Sequence, residues 1–221
     1  MNSAQRGRSQ RVGHLQRQLR ILLILDGCRL AGLSPLAINN LHLLAYLANT
    51  LAPVWDIPPM DAKLIKKRGG PFYPDIQGDV DRLIGMGLVE VFHPGHELDE
   101  DGRWRVTGAY RINSALAASV VEAADQTGYP DATSAFLREL TYAVSGLALV
   151  DVGRIPATDA TYADPIVSVG DVIDFGEWRD VNYTANAARH FRHLMPGQQA
   201  SSAEMTHMYL RLAAERLNAH A

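Results

Sequence analysis

The chain reads as an α+β protein, mainly α: a winged helix-turn-helix followed by a helical C-terminal region with a short strand or hairpin. Three observations lead there. From Pro71 to Arg111 a helix-spaced stretch opened by proline passes through a glycine into two strand-like runs parted by an acidic loop. Before it, apolar residues recur at helical spacing over Leu15 to Cys28 and Leu36 to Leu51. After Asn113, further helix-spaced segments follow, with one apolar strand-like run among them.

Residues 1–13 are polar, rich in Gly, Ser and Gln, and carry Arg6, Arg8 and Arg11 with no acid. That composition buries too little apolar surface to stay ordered alone, so they read as a flexible basic arm. Arg17 and Arg20 take the charge into a first helix built on Leu15, Leu19, Leu22, Leu23 and Cys28. The short apolar run Ile21 to Leu25 suits a strand as well. Ser34-Pro35 reads as a hydroxyl cap followed by proline at the first helical position, opening a helix on Leu36, Leu41, Leu44, Leu47, Ala48 and Leu51. Pro53 to Pro59 is expected to be a rigid extended connection, and Met60 to Arg68 a short basic helix stopped at Gly69-Gly70. Pro74 opens the next helix, with Asp75 near its positive end, Ile76, Val80, Leu83 and Ile84 as its inner stripe, and Gly87 as its left-handed stop. Leu88 to Phe92 and Trp104 to Tyr110 pair as strands, completing a winged-helix domain over 14–112.

A change of composition after Arg111 places a boundary near Asn113 and a mainly helical domain over 113–221. Helices are expected over Ser114 to Gln126 and, opened by Pro130, over Asp131 to Ala148. A polar irregular region, Asp151 to Asp164, precedes the strand-like run Ile166 to Phe175. Two last helices are expected over Thr184 to Leu194 and Ser202 to Asn218, the second opened by a capping box of Ser201 and Glu204.

With 221 residues, 47% hydrophobic and 20% charged, the chain has enough material for one large core or two small ones. A formal charge of −3 supplies no overall attraction to nucleic acid, so any such contact must come from local patches. The single cysteine, Cys28, rules out an internal disulfide framework and fits a reducing, cytoplasmic setting. The apolar run after the arginines is too short to span a membrane and meets Asp26 and Arg29 at once.

The usual signatures of catalysis are missing: no GxxxxGK[ST] phosphate loop, no GxSxG elbow, no HExxH, no paired-cysteine zinc site. No catalytic residue and no cofactor are expected. His190 and His193 share a helix face but lack a carboxylate beside them; His93 and His96, with Glu97 and Asp99, are the better metal candidate, although loop polarity explains them without metal. The acids Asp171, Asp174 and Glu177, and Asp159 with Asp164, are not followed by the lysine of a nuclease site. In IDFGEW (173–178) Asp174 and Trp178 read as capping, packing or partner-facing residues.

Charge decides between readings of the winged helix. Its third helix enters the major groove in DNA readers, where cations offset phosphate. Here it carries Asp75, Asp79 and Asp81 against a lone Arg82, and the hairpin tip adds Glu97, Asp99, Glu100 and Asp101. Such a helix is better suited to a protein partner. Two basic features are candidates for phosphate contact that holds without reading bases: Lys63, Lys66, Lys67 and Arg68, and the arm of Arg6, Arg8, Arg11, Arg17 and Arg20.

The runs LHLLAYLANTLAPVW (41–55), GGPFYPDIQGDVDRLIGMGLVEV (69–91), AFLRELTYAVSGL (135–147) and VIDFGEW (172–178) resemble the middle component of bacterial ABC-three-component defence systems, of which the Lamassu type is one. The resemblance rests on packing motifs and implies a non-catalytic accessory subunit. Such a subunit would bridge an SMC-like ABC ATPase, which senses foreign DNA, to an effector subunit of nuclease type in antiviral or anti-plasmid defence. The expectation is therefore a cytoplasmic adaptor, not an enzyme, binding those two partners, with non-specific DNA contact inside the complex and no membrane. The rival is a stand-alone winged-helix transcriptional regulator; an enzyme using His93, His96, Glu97 and Asp99 is a third reading.

Overall fold

The ambiguous run Ile21 to Leu25 is helical, the middle of α1 (Ser3–Leu30). All five of its residues are at most 3% exposed, so the helix is enclosed on every side there. A computed structural model provides this description for residues 3–61, 63–98, 102, 104–126, 132–159, 162–174, 182–193 and 199–219. The helix backbone already begins at Ser3, within the segment whose composition suggested a flexible arm. The chain is α+β and mainly helical, with two small antiparallel sheets.

Ser34-Pro35 does not cap a helix. Leu36, only 1% exposed, and Ala37 form β1 (Leu36–Ala37) against Tyr110 and Ala109, and this pairing delays the helix. α2 (Ile38–Leu51) starts behind Ala37 and buries twelve of its fourteen residues. Ala52–Trp55 adds a 3-10 turn that ends on Asp56 at φ +55, so the connection to Pro59 is extended only in its second half. Buried Asn49 fastens it: its Oδ1 accepts the Met60 N–H at 2.6 Å, and its Nδ2 donates to the Tyr73 hydroxyl at 2.9 Å.

The expected basic helix is instead a hairpin of β2 (Lys63–Lys67) and β3 (Gly70–Phe72). Fully buried Leu64 follows exposed Lys63, an alternation of strand type, and Gly70 at φ +117 adopts a turn conformation open to glycine. A distant segment supplies the third strand: β6 (Val172–Asp174) pairs with β2, setting Lys63 opposite Asp174 and Ile65 opposite Val172. Tertiary pairing outweighs local preference here.

α3 (Pro74–Gly85) opens on its proline as expected and stops at Gly87, φ +74. The N–H groups of Gly87 and Leu88 return to the Ile84 and Leu83 carbonyls at 2.9 and 3.0 Å, closing the helix end. β4 (Val89–Leu98) and β5 (Trp104–Ile112) form a hairpin longer than the sequence suggested, with a bulge between Phe92 and Gly95, and β1 lies beside β5.

α4 (Ser114–Gln126) has its expected bounds. α5 (Thr133–Ser145) is shorter than expected, and Pro130 and Asp131 lie outside the described residues. α6 (Leu149–Thr158) occupies the region expected to be irregular: Val152 and Ile155, three apart and both fully buried, provide its inner face. Among the described residues of the strand-like run, 166–174, only β6 is a strand. α7 (Tyr183–His190) is capped by Asn182, whose side chain accepts the Ala185 N–H at 2.9 Å. α8 (Ser202–Ala219) carries the capping box: Glu204 accepts the Ser201 N–H at 2.8 Å and gives its own N–H to the Ser201 hydroxyl at 3.2 Å.

One apolar core runs from Ile21 to Leu217 and includes residues on both sides of Asn113. α1 is its axis, packed on α3, α4, α5 and β5. Its approach to α5 is close enough that a Cβ on Gly27 would lie 2.6 Å from Thr141 Oγ1. No helix among the described residues is long and apolar enough to cross a membrane.

Candidate functional site

The spacing of α3 puts Asp79 on its inner face, three residues after Ile76 and four before Leu83. Asp79 is fully buried, and a buried carboxylate requires compensation. Arg17, buried on α1, donates from Nε to Asp79 Oδ2 at 2.5 Å. Arg82 Nη1 and Gln18 Nε2 reach Oδ1 at 2.6 and 3.1 Å. The same Arg17 guanidinium lies 3.6 Å from Asp75 and 3.8 Å from Asp61, and its Nη2 meets His14 Nδ1 at 2.9 Å. Burial pushes the Asp61 carboxyl above the usual carboxylate range, against the lowering pull of the Lys63 N–H and Arg17.

This network corrects three assignments. Asp79 is not a partner-facing residue, because no part of it reaches the surface. Arg17 is not a phosphate contact, because its charge is committed to Asp79. Arg20, also buried, donates from Nη1 to the Pro58 carbonyl at 2.9 Å and holds the connection after α2. The outer face of α3 keeps Asp75, with its side chain 67% exposed, and Asp81, which accepts from Gln77 at 3.0 Å. Arg82, the helix's only cation, is spent on Asp79.

The basic hairpin splits by strand alternation. Lys66 Nζ donates inward to the Val167 and Asp164 carbonyls at 2.7 and 3.3 Å and straps the loop before β6, so it is not a phosphate contact. Lys63 pairs with Asp174 at 3.5 Å, which commits Asp174 to its own sheet. Lys67 lies over the Phe72 ring, 4.2 Å from its centre, and Arg68 is exposed in the turn. Neither Lys67 nor Arg68 meets a carboxylate among the described residues. Arg6, Arg8 and Arg11 stand on the first turns of α1, and Trp178 lies outside the described residues.

Among the described residues no three His, Cys, Asp or Glu side chains gather where they could hold a metal. His93, at φ +49, and His96 lie exposed on the bulged strand, while Asp99 lies outside the described residues. Cys28 is fully buried, and burial pushes its thiol up to about 12.

Sequence reasoning missed one buried polar cluster. Asp159, 3% exposed at the end of α6, accepts from the Tyr209 hydroxyl at 3.0 Å and from the Thr184 hydroxyl. Burial, and then the Asp159 charge, raise the Tyr46 and Tyr209 hydroxyls, which keeps them protonated beside it. The cluster ties α6, α7 and α8 to α2. Asp159 is therefore a structural anchor, and its neighbours in sequence carried no signal of that.

Among the described residues the geometry offers an acidic helix face, a small basic turn and a long hairpin. Comparison with family models, with curated proteins and with solved structures returned no match.

Proposed function

We propose that the chain is a non-catalytic adaptor with a winged-helix core, joining an SMC-like ABC ATPase to a nuclease-type effector in a defence complex. The winged-helix reading is supported by the order α1, β1, α2, α3, β4, β5, with β1 seated beside β5. One departure is the β2–β3 insertion between α2 and α3, where a helix-turn-helix has a tight turn.

One observation carries the choice of a protein partner over DNA. The helix in the groove-reading position spends its single arginine on buried Asp79 and leaves Asp75 and Asp81 facing outward. Phosphate would repel that face, whereas a basic protein surface would bind it. Lys67 and Arg68 remain available for non-specific phosphate contact with DNA held by the ATPase. The rival regulator needs α3 in a major groove, and the same charges oppose it.

The test is purification of the tagged chain from its native operon. Wild type brings down the ATPase and effector subunits, and D75K/D81K loses at least one of them. Sequence-selective binding of the isolated chain to its own promoter, with assembly untouched by D75K/D81K, would establish the regulator instead.

A further inference from the structure

Cross-strand register sets one row of side chains across all three strands of the β3–β2–β6 sheet. Ile65 in the central strand stands opposite Phe72 on one side and Val172 on the other, so the three share a face. Their neighbours Leu64, Pro71 and Ile173 alternate to the opposite face and are buried. The row therefore lies on the outer face, with Ile65 and Phe72 half-buried and Val172 59% exposed. It extends over about 10 Å, two inter-strand spacings.

Alternation puts Lys63 and Lys67 on that same face, two residues to either side of Ile65. Lys67 Nζ sits over the Phe72 ring, which keeps its charge at the end of the row. Glycines flank it: Gly70 is in register with Lys67, and Gly170 donates to the Lys66 carbonyl at 2.8 Å. A Cβ on either glycine would meet nothing within 4 Å, so the strip beside Lys67 is open backbone. Arg68 stands exposed in the adjoining turn. The carboxylate on this face, Asp174, is paired with Lys63.

Charge and shape together select the occupant. Lys67 and Arg68, which meet no carboxylate among the described residues, suit a chain of phosphates or an acidic peptide. A peptide's apolar side chain contributes most when a pocket encloses it, and this row is a level strip edged by glycine. Duplex DNA brings phosphates but shows only base edges in its grooves. A single strand brings both phosphates for the cations and flat base faces for the apolar strip.

We propose that the outer face of this sheet seats a short single-stranded segment of DNA, its bases against Ile65 and Val172 and its phosphates on Lys67 and Arg68. This deepens the phosphate contact proposed for Lys67 and Arg68 and rests on it. The adaptor's partner proteins play no part in it.

Fluorescence anisotropy of the full chain tests it with three labelled probes of equal length: oligothymidine, an abasic strand that keeps the phosphates, and a duplex. Val172→Ser removes apolar surface at an exposed site, adds no charge and leaves the melting temperature unchanged. It weakens oligothymidine binding by about threefold or more and leaves the abasic and duplex affinities as they were. Val172→Tyr, which widens the stacking surface, strengthens oligothymidine binding by about threefold or more. Lys67→Ala with Arg68→Ala weakens binding of all three probes by about fivefold or more. Equal affinities of wild type and Val172→Ser for oligothymidine overturn the base contact. If the double alanine variant still loses all three probes, the phosphate contact stands without it. No loss of any probe in that variant overturns both. Binding of a leucine–glutamate peptide that Val172→Ser abolishes, with oligothymidine affinity unchanged, makes the face a protein interface and overturns the proposal. The adaptor reading is decided separately, by the subunits recovered with the chain from its operon.

Discussion

Arg17 Nε and Asp79 Oδ2, 2.5 Å apart and both buried, lock α1 to α3 across the middle of the fold. Read by charge alone, the two belong to opposite functional sets, one a contact for phosphate and the other for a partner. Each neutralises the other instead. What α3 offers outward is therefore fewer carboxylates than the sequence displays, yet no free cation to set against them.

Replacing Asp79 with Asn should cost about 3–5 kcal/mol in urea unfolding, because it strands a buried guanidinium. Arg17→Met with Asp79→Leu should recover much of that, since paired apolar replacements of buried ion pairs are often neutral. If D79N alone unfolds at the wild-type midpoint, the pair is not buried as described.

Asp61 sets a pH dependence. Its folded pKa lies above the ordinary carboxylate value, so the native state holds this proton more tightly than the unfolded chain does. Its contribution is greatest below the ordinary value, near about 4, and declines as pH rises through the interval up to the raised one. Asp61→Asn should flatten that decline in unfolding free energies measured from pH 4 to 7.

Gly27 is a packing requirement. Gly27→Ala places a methyl 2.6 Å from Thr141 Oγ1 and should cost about 1–3 kcal/mol by overpacking. Thr141→Ala clears that atom, so the double variant should be more stable than Gly27→Ala alone. Thermal melts of the three variants decide it.

Cys28 should be inert. With the thiol fully buried and pushed up to about 12, the native protein should not react with a disulfide reagent at pH 8, whereas the urea-unfolded chain should react completely. Rapid labelling of the native protein would contradict the enclosure of α1.

Lys67→Ala with Arg68→Ala should weaken DNA retention by the assembled complex and leave assembly intact, while Lys66→Ala should instead raise hydrogen exchange in residues 164–171 that it straps. Equal DNA loss from Lys66→Ala would show that its inward hydrogen bonds do not hold it.

Features decided within a few residues were legible. The Gly87 stop, the Ser201–Glu204 box and the bounds of α4 follow from local backbone demands that their own residues meet. Features decided by distant partners were not. Leu36 became a strand because Tyr110 lies beside it, and the basic segment became β2 because Val172 to Asp174 pair with it from the far side of the chain. Asp79 falls between the two. Its spacing from Ile76 and Leu83 is that of an inward position, yet its charge reads as partner-facing, and nothing local identified Arg17, 62 residues away, as its counter-ion.

The adaptor account is tested most directly by the mass of the assembly that the tagged chain forms when expressed from its own operon. The account predicts a heteromeric particle containing the chain together with an SMC-like ATPase and an effector subunit, unchanged by nuclease treatment. Recovery of the chain by itself, or only with promoter DNA, would contradict it.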